Sequence, residues 1–382
     1  MRRKIEMVDA RRRKTLSETE HGAVASEVGT TLSGLPKGTN ANARTNLRWG
    51  FVGTGSIAGS MATMIREADS SSLVAVSSRR METARTFAAE HTIENAFDSW
   101  SDMIASEKVD AIYVATPTSI REEICIAAAK HGKHVLAEKP FANMPSLQRI
   151  VAACRANGVG FMDGTHFTHH PRTAAIRAAT QDLIGWVWSL DSTFQFKLAD
   201  RGNIRYKPKL EPLGAIGDAG WYNMRAMIEY LPPDIELRSV NAYLRRDGET
   251  GAAVGGSGVM LFDDGSTSTW NCGFDSGAVK TDLRLSGAKG VVSLDDFISN
   301  RPDASASYTC EKGPFSGGPS VETTVESDKT GPALMFEAFA SMIGNNDLFE
   351  QSVRRSQRTQ GLLDGAWNNA LMHEKNHKDQ SP

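Results

Sequence analysis

Two segments carry residues whose types and spacing could do chemistry. The sequence AEKPF sets the carboxylate of Glu138 and the ammonium group of Lys139 before a proline, at the end of an apolar run. Further along, Asp218 and Tyr222 are four residues apart in a predicted helix over residues 214–231, so both side chains point from one face. An ammonium group can polarise a substrate oxygen, and a phenol can exchange a proton with it.

Each pair also has a purely structural explanation. Glu138 and Lys139 could form an ion pair that caps a buried strand. Asp218 could be favoured near a helix N-terminus by the helix dipole, with Tyr222 as ordinary packing. Acid–base catalysis by Tyr222 would need a shifted pKa, because a phenol with a pKa of about 10 is a poor base at neutral pH. We expect the nearby ammonium group of Lys139 to lower that pKa.

A glycine-rich turn precedes these segments and predicts a dinucleotide site. Residues 47–68 run from an apolar strand into a helical pattern, and Gly53, Gly55 and Ala58 between them spell GxGxxA. The first small residue permits a tight turn, the second lets the backbone approach a pyrophosphate, and the third allows close helix–strand packing. The turn residues predicted to bind the cofactor are Gly53, Thr54, Gly55, Ser56 and Ile57.

The end of the next strand indicates which dinucleotide is bound. The segment SLVAVSSRR ends in Ser78, Arg79 and Arg80, about twenty residues beyond the glycines, where an NAD site carries an acidic residue. Hydroxyl and guanidinium groups bind a 2′-phosphate, which a carboxylate would repel. The sequence therefore favours NADP over NAD, although the two arginines could simply begin a solvated helix.

Alternating strands and helices over residues 47–164 predict a doubly wound parallel sheet, a Rossmann domain whose ligands lie at the carboxyl ends of the strands. Thr116, Pro117, Glu138 and Lys139 all fall at such ends and are predicted to contact the cofactor. Both catalytic and binding residues of this half of the chain are therefore expected at one edge of the sheet.

Beyond this domain, strand-like stretches follow one another. They predict an α+β domain over residues 165–335 with a large, mostly antiparallel open sheet, followed by C-terminal helices and a tail over residues 336–382. The predicted strands are WVWSLDSTFQF, LRSVNAYLRR, GSGVMLF, STSTWNCGF, TDLRLSG and GVVSLD.

Composition excludes several classes of function. The 382 residues are 40% hydrophobic and 23% charged with a net charge of −2, which suits a globular protein of two domains and argues against a nucleic-acid partner. No apolar run reaches the roughly 18–20 residues that would span a membrane. The four cysteines have no metal-site spacing, so we expect a reducing compartment and no metal.

The first 46 residues carry basic clusters and almost no apolar periodicity, which predicts a disordered extension. We expect a cytoplasmic protein. Import into an organelle through this extension is the alternative, weakened by five acidic residues, namely Glu6, Asp9, Glu18, Glu20 and Glu27.

The order of four motifs, GTGSIA, ATPTS, GKHVLAEKPF and LGAIGDAGWY, resembles the glucose–fructose oxidoreductase/inositol dehydrogenase/MocA family. The resemblance extends from Leu47 to about Leu371. Residues 162–173 and 203–226 are most similar to the uncharacterised plant oxidoreductases of this family, and less so to dimeric dihydrodiol dehydrogenase and the NADP-dependent sugar ketoreductases.

The resemblance implies roles for single residues. Lys139 would lie beside the nicotinamide and contact the reacting oxygen, often before a cis proline bond. Tyr222 would donate or accept the proton, and Asp218 would bind a substrate hydroxyl or orient the other two. His170 would lie near the active site, because His170–Pro171 is similar to a family pair there. His166 and Trp221 are further candidates for substrate contact, although His166 could also be simple packing. Arg121 departs from the family pattern, since histidine is usual at its position.

The resemblance also implies an NADP(H)-dependent oxidoreductase that moves a hydride between nicotinamide and the carbinol or ketone carbon of a sugar, a sugar derivative or a vicinal diol. The second sheet would form subunit contacts in a homodimer or homotetramer. Two alternatives stay open, a catalytically idle NADP-binding regulator and a reductase of imines or tetrapyrroles.

Overall fold

The computed structural model describes residues 46–298, 305–313 and 318–379. The predicted N-terminal extension lies outside these residues, except for Asn46. The predictions of disorder and of organellar import both concern that extension and stay predictions. The described chain forms one parallel sheet and one mostly antiparallel sheet, which confirms the predicted fold class.

The first sheet has six strands, all parallel, in the order β3-β2-β1-β4-β5-β6. Its strands are β1 (Leu47–Val52), β2 (Ser71–Ser77), β3 (Asn95–Phe97), β4 (Ala111–Val114), β5 (His134–Ala137) and β6 (Phe161–Asp163). The connecting helices are α1 (Ser56–Met64), α2 (Met81–Glu90), α3 (Trp100–Ala105), α4 (Thr118–Lys130) and α5 (Met144–Ala156). The strand order reverses between β1 and β4, and such a switch point opens a crevice for ligands.

The second sheet has nine strands in the order β15-β14-β13-β12-β7-β10-β9-β8, with β11 paired to β7. Its strands are β7 (Val187–Lys197), β8 (Leu237–Arg246), β9 (Ala253–Phe262), β10 (Thr267–Gly273), β11 (Asp275–Lys280), β12 (Leu283–Gly287), β13 (Gly290–Leu294), β14 (Ala306–Glu311) and β15 (Ser320–Val325). Among the strands that the structure describes in this sheet, β7 and β10 are the one pair that runs parallel. The sequence patterns did not predict β3, β11, β14 or β15. β3 has only three residues, and β11 and β15 are mostly exposed, whereas β14 does alternate buried Ala306, Tyr308 and Cys310 with polar residues.

Helices cover one face of the second sheet. The preceding chain forms a 3-10 turn (His166–His169) and α6 (Pro171–Leu183). The predicted helix over residues 214–231 is in fact a π-helical turn (Ile216–Gly220) followed by α7 (Trp221–Tyr230). The turn and α7 contact β7 and β10. Asp218 and Tyr222 therefore come from two different helical geometries rather than from one regular α-helix.

The C-terminal helices pack onto the first sheet as well as the second. They are α8 (Gly331–Met342) and α9 (Asn346–Asp379), so the predicted boundary between residues 335 and 336 lies inside α8. Phe336 and Phe339 of α8 each lie 5.0 Å, centroid to centroid, from Trp49 of β1. α9 contacts α5, α7, β6 and β8, and thereby joins both sheets.

All four cysteines are free and buried. Among the described residues, none of the helices is long and apolar enough to cross a membrane. Within the same residues, no group of three or more His, Cys, Asp or Glu side chains could hold a metal ion.

A buried polar network fastens the first sheet to the helices of the second half of the chain. Asp163, at the end of β6, accepts hydrogen bonds from Arg225 of α7 and Ser356 of α9, each at 2.5 Å. The backbone N–H of Thr165 donates to the same carboxylate at 3.1 Å. Burial opposes ionisation of Asp163, but the charge of Arg225 and these hydrogen bonds outweigh it, so its pKa lies below the usual value.

Arg225→Met should test this network. Removing one partner of a buried ion pair leaves the other charge uncompensated, so we expect a loss of about 3–5 kcal/mol in the free energy of unfolding, measured by urea denaturation. The matched control is Arg149→Met. Arg149 pairs with Glu122 on the surface, with half of its side chain exposed, and its loss should cost below about 1 kcal/mol. Equal losses in both variants would contradict the prediction.

Candidate active site

A cleft of about 440 Å³ opens between the carboxyl edge of the first sheet and the second sheet. Both halves of the chain contribute side chains to it. The lining of the cleft includes Gly55, Lys139, Phe194, Arg205, Asp218 and Tyr222. The cleft therefore brings the glycine turn together with both segments that the sequence singled out.

The glycine turn forms a cradle at the N-terminus of α1. Gly53 has a φ of +108°, and a Cβ there would lie 2.7 Å from the carbonyl oxygen of Ala115, so only glycine fits. Gly55 has no atom within 4 Å of its Cβ position, and no side chain caps the helix that follows. The first N–H groups of α1 thus point at open space beside a positive helix end, which fits a pyrophosphate. Ala58 is fully buried, as the fingerprint requires.

The end of β2 lies beside this cradle. The hydroxyl of Thr54 in the turn donates to that of Ser78 at 3.4 Å. Arg79 and Arg80 follow, both exposed, and neither has an ion-pair partner in the part of the chain that the structure describes. Unpaired guanidinium groups next to hydroxyls fit a phosphate monoester.

The ends of β4 and β5 are clamped together by Arg121, which stands where histidine is usual. Its side chain is buried and donates to the carbonyl oxygens of Thr116, at 2.5 Å, and of Pro140. Pro117 is the residue that precedes the first turn of α4. Arg121 therefore links the two strand ends through its hydrogen bonds.

Glu138 does not pair with the ammonium group of Lys139. Its carboxylate accepts a hydrogen bond from the hydroxyl of Tyr113 at 2.5 Å and from the backbone N–H of Lys139 at 3.2 Å. Burial raises the pKa of Glu138, although the charge of Lys139 acts against the rise. The strand-capping ion pair considered from the sequence is thus absent, and the ammonium group is free to bond elsewhere.

Lys139 bonds across the cleft to Asp218. Its Nζ lies 2.7 Å from Oδ1 and 2.9 Å from the backbone oxygen of Asp218. Arg205 holds the same carboxylate through Nε, 2.7 Å from Oδ2, and through its terminal nitrogen, 3.1 Å from Oδ1. Burial alone would raise the pKa of Asp218, but the two cations outweigh it and hold that pKa well below its usual value. The Lys139–Pro140 bond is cis, as the resemblance implied.

Asp218 therefore supports Lys139 more directly than it could bind a substrate. Both of its carboxylate oxygens are occupied by Arg205 and Lys139. Arg205 was not predicted, because it lies in the short 3-10 turn Ile204–Tyr206, which has no periodicity to mark it. The one hint in the sequence is that Arg205 lies only 13 residues before Asp218.

Tyr222 lies almost fully buried at the back of the cleft. The Nζ of Lys139 is 4.7 Å from its ring centroid, and the ring of Phe194 stands edge-on at 5.3 Å. Its hydroxyl oxygen is 3.2 Å from Nε2 of His166. This arrangement confirms that Lys139 and Tyr222 are neighbours, although one comes from each half of the chain.

The expected lowering of the Tyr222 pKa is wrong for this structure. Burial raises that pKa well above its usual value, and the negative charges of Glu138 and Asp218 add to the effect. The ammonium group of Lys139 is close but compensated by the carboxylate of Asp218. Tyr222 is therefore a neutral phenol over the ordinary pH range, fit to give a proton rather than to take one.

Two other residues implied by the resemblance lie away from the cleft. Trp221 is fully buried, and its Nε1 donates to the hydroxyl of Thr165 at 2.7 Å. His170 is buried at the start of α6, where its Nδ1 accepts from the backbone N–H of Arg172 at 3.1 Å. Both position other elements, and we do not assign them to the substrate site.

Sequence analysis also missed an apolar wall of the cleft. Phe194 and Phe196 of β7 and Ile204 line it opposite the glycine turn. Alternation along β7 marks one face of this strand, but it does not say which residues reach the ligand.

Comparison with known proteins agrees with this geometry. The family model described as "Oxidoreductase family, NAD-binding Rossmann fold", the GFO_IDH_MocA family, matches residues 47–165. A dTDP-3,4-didehydro-2,6-dideoxy-alpha-D-glucose 3-reductase of Actinomadura kijaniata is 31% identical over 232 residues, 60% of this chain and 69% of the relative. A D-xylose 1-dehydrogenase (NADP(+)) of Haloferax volcanii is 28% identical over 265 residues, 69% of this chain and 80% of the relative.

A solved structure shares the fold. The 3-ketoreductase KijD10 of Actinomadura kijaniata, in complex with NADP and TDP-benzene, superposes with a TM-score of 0.78 at 24% identity. The match covers 85% of this chain and 98% of that one. By its glycine turn, its EKP strand end and these relatives, the chain belongs to the glucose–fructose oxidoreductase/inositol dehydrogenase/MocA family of oxidoreductases.

Proposed function

We propose that this protein is an NADP(H)-dependent oxidoreductase acting on the carbinol or ketone carbon of a sugar, a sugar derivative or a vicinal diol. One observation carries the proposal. Lys139, held by Asp218, and Tyr222 meet in one cleft beside an open pyrophosphate cradle. The names of two relatives, a keto-sugar reductase and an NADP-dependent xylose dehydrogenase, support the same chemistry.

The cofactor would be held by the turn from Gly53 to Ile57, with Ser78 and Arg79 on its 2′-phosphate. Thr116 and Pro117 would lie along its nicotinamide half. The bound dinucleotide would supply or accept the hydride.

The residues of the cleft then handle the oxygen and its proton. Lys139 donates a hydrogen bond to the carbonyl oxygen and stabilises negative charge that develops there. As the carbonyl carbon gains a hydride, Tyr222 gives its hydroxyl proton to that oxygen, and the alcohol and a phenolate result. Because the phenol of Tyr222 is neutral, the resting site is set for reduction, and oxidation requires loss of this proton first.

An idle regulator would need only the dinucleotide cradle. Here Asp218 also fixes the direction of Lys139, since its carboxylate lies 2.7 Å from the ammonium group and 2.7 Å from Nε of Arg205. Each charge buried around the amine of Lys139 costs desolvation energy, and dinucleotide binding alone does not require these charges. These contacts favour an enzyme.

We also propose a homo-oligomer that pairs through the open face of the second sheet. A depression of about 770 Å³ lies on this face. Asn241, Val259 and Thr269 sit side by side in it, on β8, β9 and β10. Val259 and the neighbouring Tyr243 are each about half exposed, so both offer apolar area on this face to a partner chain.

A substrate screen should test the function. We expect NADP+ reduction at alkaline pH, or NADPH oxidation at neutral pH, with at least one member of a panel of aldoses, keto sugars, inositols, vicinal diols and sugar acids. Tyr222→Phe should lower kcat by roughly 10²–10⁴-fold and leave the Kd for NADPH unchanged, because only the proton donor is removed.

The matched control for that variant is Tyr230→Phe. Tyr230 is a buried tyrosine of the same helix whose hydroxyl contacts Thr173 rather than the cleft. It should keep wild-type kcat. Full activity of Tyr222→Phe would refute the acid–base assignment, and an enzyme inert toward the whole panel would favour the regulator.

Cofactor preference should depend on Arg79. We expect Arg79→Ala to weaken NADPH binding by about 10- to 100-fold, as for loss of a charged hydrogen bond, without changing NADH binding. Isothermal titration calorimetry measures both. Arg85→Ala removes an equally exposed arginine of α2 and should change neither affinity. Equal affinities of the wild-type protein for NADPH and NADH would overturn the preference.

Val259→Glu should break the oligomer, because a carboxylate buried in the contact without a partner is costly. Light scattering after size exclusion should show a smaller species than for wild type, with the same NADPH affinity. The control is Val279→Glu on β11, where the valine is 70% exposed and lies outside the depression. A monomeric wild-type protein would contradict the proposal.

A further inference from the structure

His166 is a buried histidine next to the catalytic phenol that the proposed function does not use. It begins the 3-10 turn after β6 and is 4% exposed. Its Nε2 lies 3.2 Å from the hydroxyl oxygen of Tyr222, and the two ring centroids are 5.8 Å apart at 61°. His166 does not line the cleft, so its influence on the reaction would act through Tyr222.

The ring of His166 is held in place by its backbone neighbours. On one side, the hydroxyl of Thr165 donates to Asp163 and accepts from Nε1 of Trp221. On the other, the carbonyl of Phe167 accepts from the hydroxyl of Thr173 at 2.9 Å. The first turn of α8 closes over the turn, since a Cβ on Gly331 would lie 3.2 Å from the carbonyl oxygen of His166. The imidazole is therefore presented to Tyr222 by a rigid support.

The other ring nitrogen decides where the proton of the imidazole sits. Nδ1 of His166 is buried and has no hydrogen-bond partner among the described residues. A proton on Nδ1 would leave a buried N–H group without an acceptor, whereas a proton on Nε2 leaves only a lone pair there. Buried N–H groups without a partner are rare because they cost the full desolvation of a donor. The tautomer with the proton on Nε2 is therefore favoured.

The same geometry gives this ring no protein partner for a proton relay in the described part of the chain. A relay would need a second group on the Nδ1 side to take up or supply a proton, and the described residues place none there. Burial, with the charges of Lys139 and His169, also lowers the pKa of His166 to about 3, so the ring stays neutral. A neutral His166 with its proton on Nε2 can therefore donate one hydrogen bond, to Tyr222.

We propose that His166 is a positioning residue whose Nε2–H donates to the hydroxyl oxygen of Tyr222. This inference rests on the proposed acid role of Tyr222. With its oxygen acting as acceptor, the hydroxyl turns its own hydrogen away from His166 and into the cleft, toward the substrate oxygen. After that proton has moved to the substrate, the same bond stabilises the phenolate, and His166 keeps its proton throughout.

Several charged groups face this pair, and they act in opposite directions. Glu138, Asp218 and Asp163 raise the pKa of Tyr222, and Arg205 lowers it. A hydrogen-bond donor to the phenolate lowers the pKa of Tyr222 and so acts against the three carboxylates. The titratable groups that act on the pair include Tyr113 of β4, Lys139 and Glu138 after β5, Asp163 at the end of β6, His169 in the 3-10 turn of His166, Arg205 in the 3-10 turn Ile204–Tyr206 and Asp218 in the π turn.

The tautomer can be measured without any substrate. Long-range ¹H–¹⁵N spectra of protein labelled at its histidine ring nitrogens, with the His166 signals assigned through His166→Gln, report which nitrogen carries the proton. We expect His166 neutral and protonated at Nε2 from pH 5 to 9. A proton on Nδ1, or titration of this ring within that range, would overturn the inference.

Kinetics test the consequence for Tyr222. His166→Met keeps the volume but removes the donor, so kcat should fall by about 10- to 100-fold, the factor expected for one hydrogen bond to a charged group, with KM unchanged. In the oxidation direction, the rise of the rate with pH should move to higher pH. His166→Gln, whose amide can donate, should restore most of kcat and the original profile.

The control is His169→Met, in the same turn but without a hydrogen bond to Tyr222, which should behave as wild type. A His166→Met enzyme with unchanged kcat and pH profile would overturn the inference. If no substrate is turned over, the proposed function fails, and the tautomer measurement alone decides the assignment of His166.

Discussion

The buried ion pair between Lys139 and Asp218 is the interaction on which the site depends. Its atoms are 2.7 Å apart, and the two side chains are 8% and 17% exposed. Lys139 ends a strand of the parallel sheet, whereas Asp218 lies in a π turn that packs on the other sheet. Such a pair pays for desolvation only when its remaining hydrogen bonds are satisfied, and Arg205 completes them. The pair thereby fixes the amine where a substrate oxygen would arrive.

That pair also determines the proton chemistry. Because Asp218 compensates Lys139, the phenol of Tyr222 experiences burial and nearby carboxylates more than the adjacent ammonium group. The phenol stays protonated, which suits reduction of a carbonyl. Lys139 is neutralised by Asp218 and so stabilises a phenolate on Tyr222 less than a free ammonium group would. A hydrogen bond from His166 would supply part of that stabilisation to the phenolate that the reaction leaves.

Local patterns predicted much of this protein because they record local constraints. Gly53 is required by a positive φ and a close carbonyl, and strand ends such as Lys139 are visible where apolar runs stop. The strands β11 and β15 were missed because their side chains are mostly exposed, so no apolar pattern marks them. Arg205 was missed because its short 3-10 turn has no periodicity to mark it. The partner of Glu138 was misjudged because Tyr113 lies on the neighbouring strand, far away in sequence.

By itself, the sequence determined the two sheet types, the dinucleotide cradle and the candidate pair of Lys139 and Tyr222. These follow from periodicity, glycine geometry and the position of polar residues at strand ends, all of which are local. Only the tertiary structure decided which charge neutralises Lys139, which way the pKa of Tyr222 moves and what its hydroxyl bonds to. Ionisation and hydrogen bonding depend on distance and burial, and folding sets both between residues that are far apart in the chain.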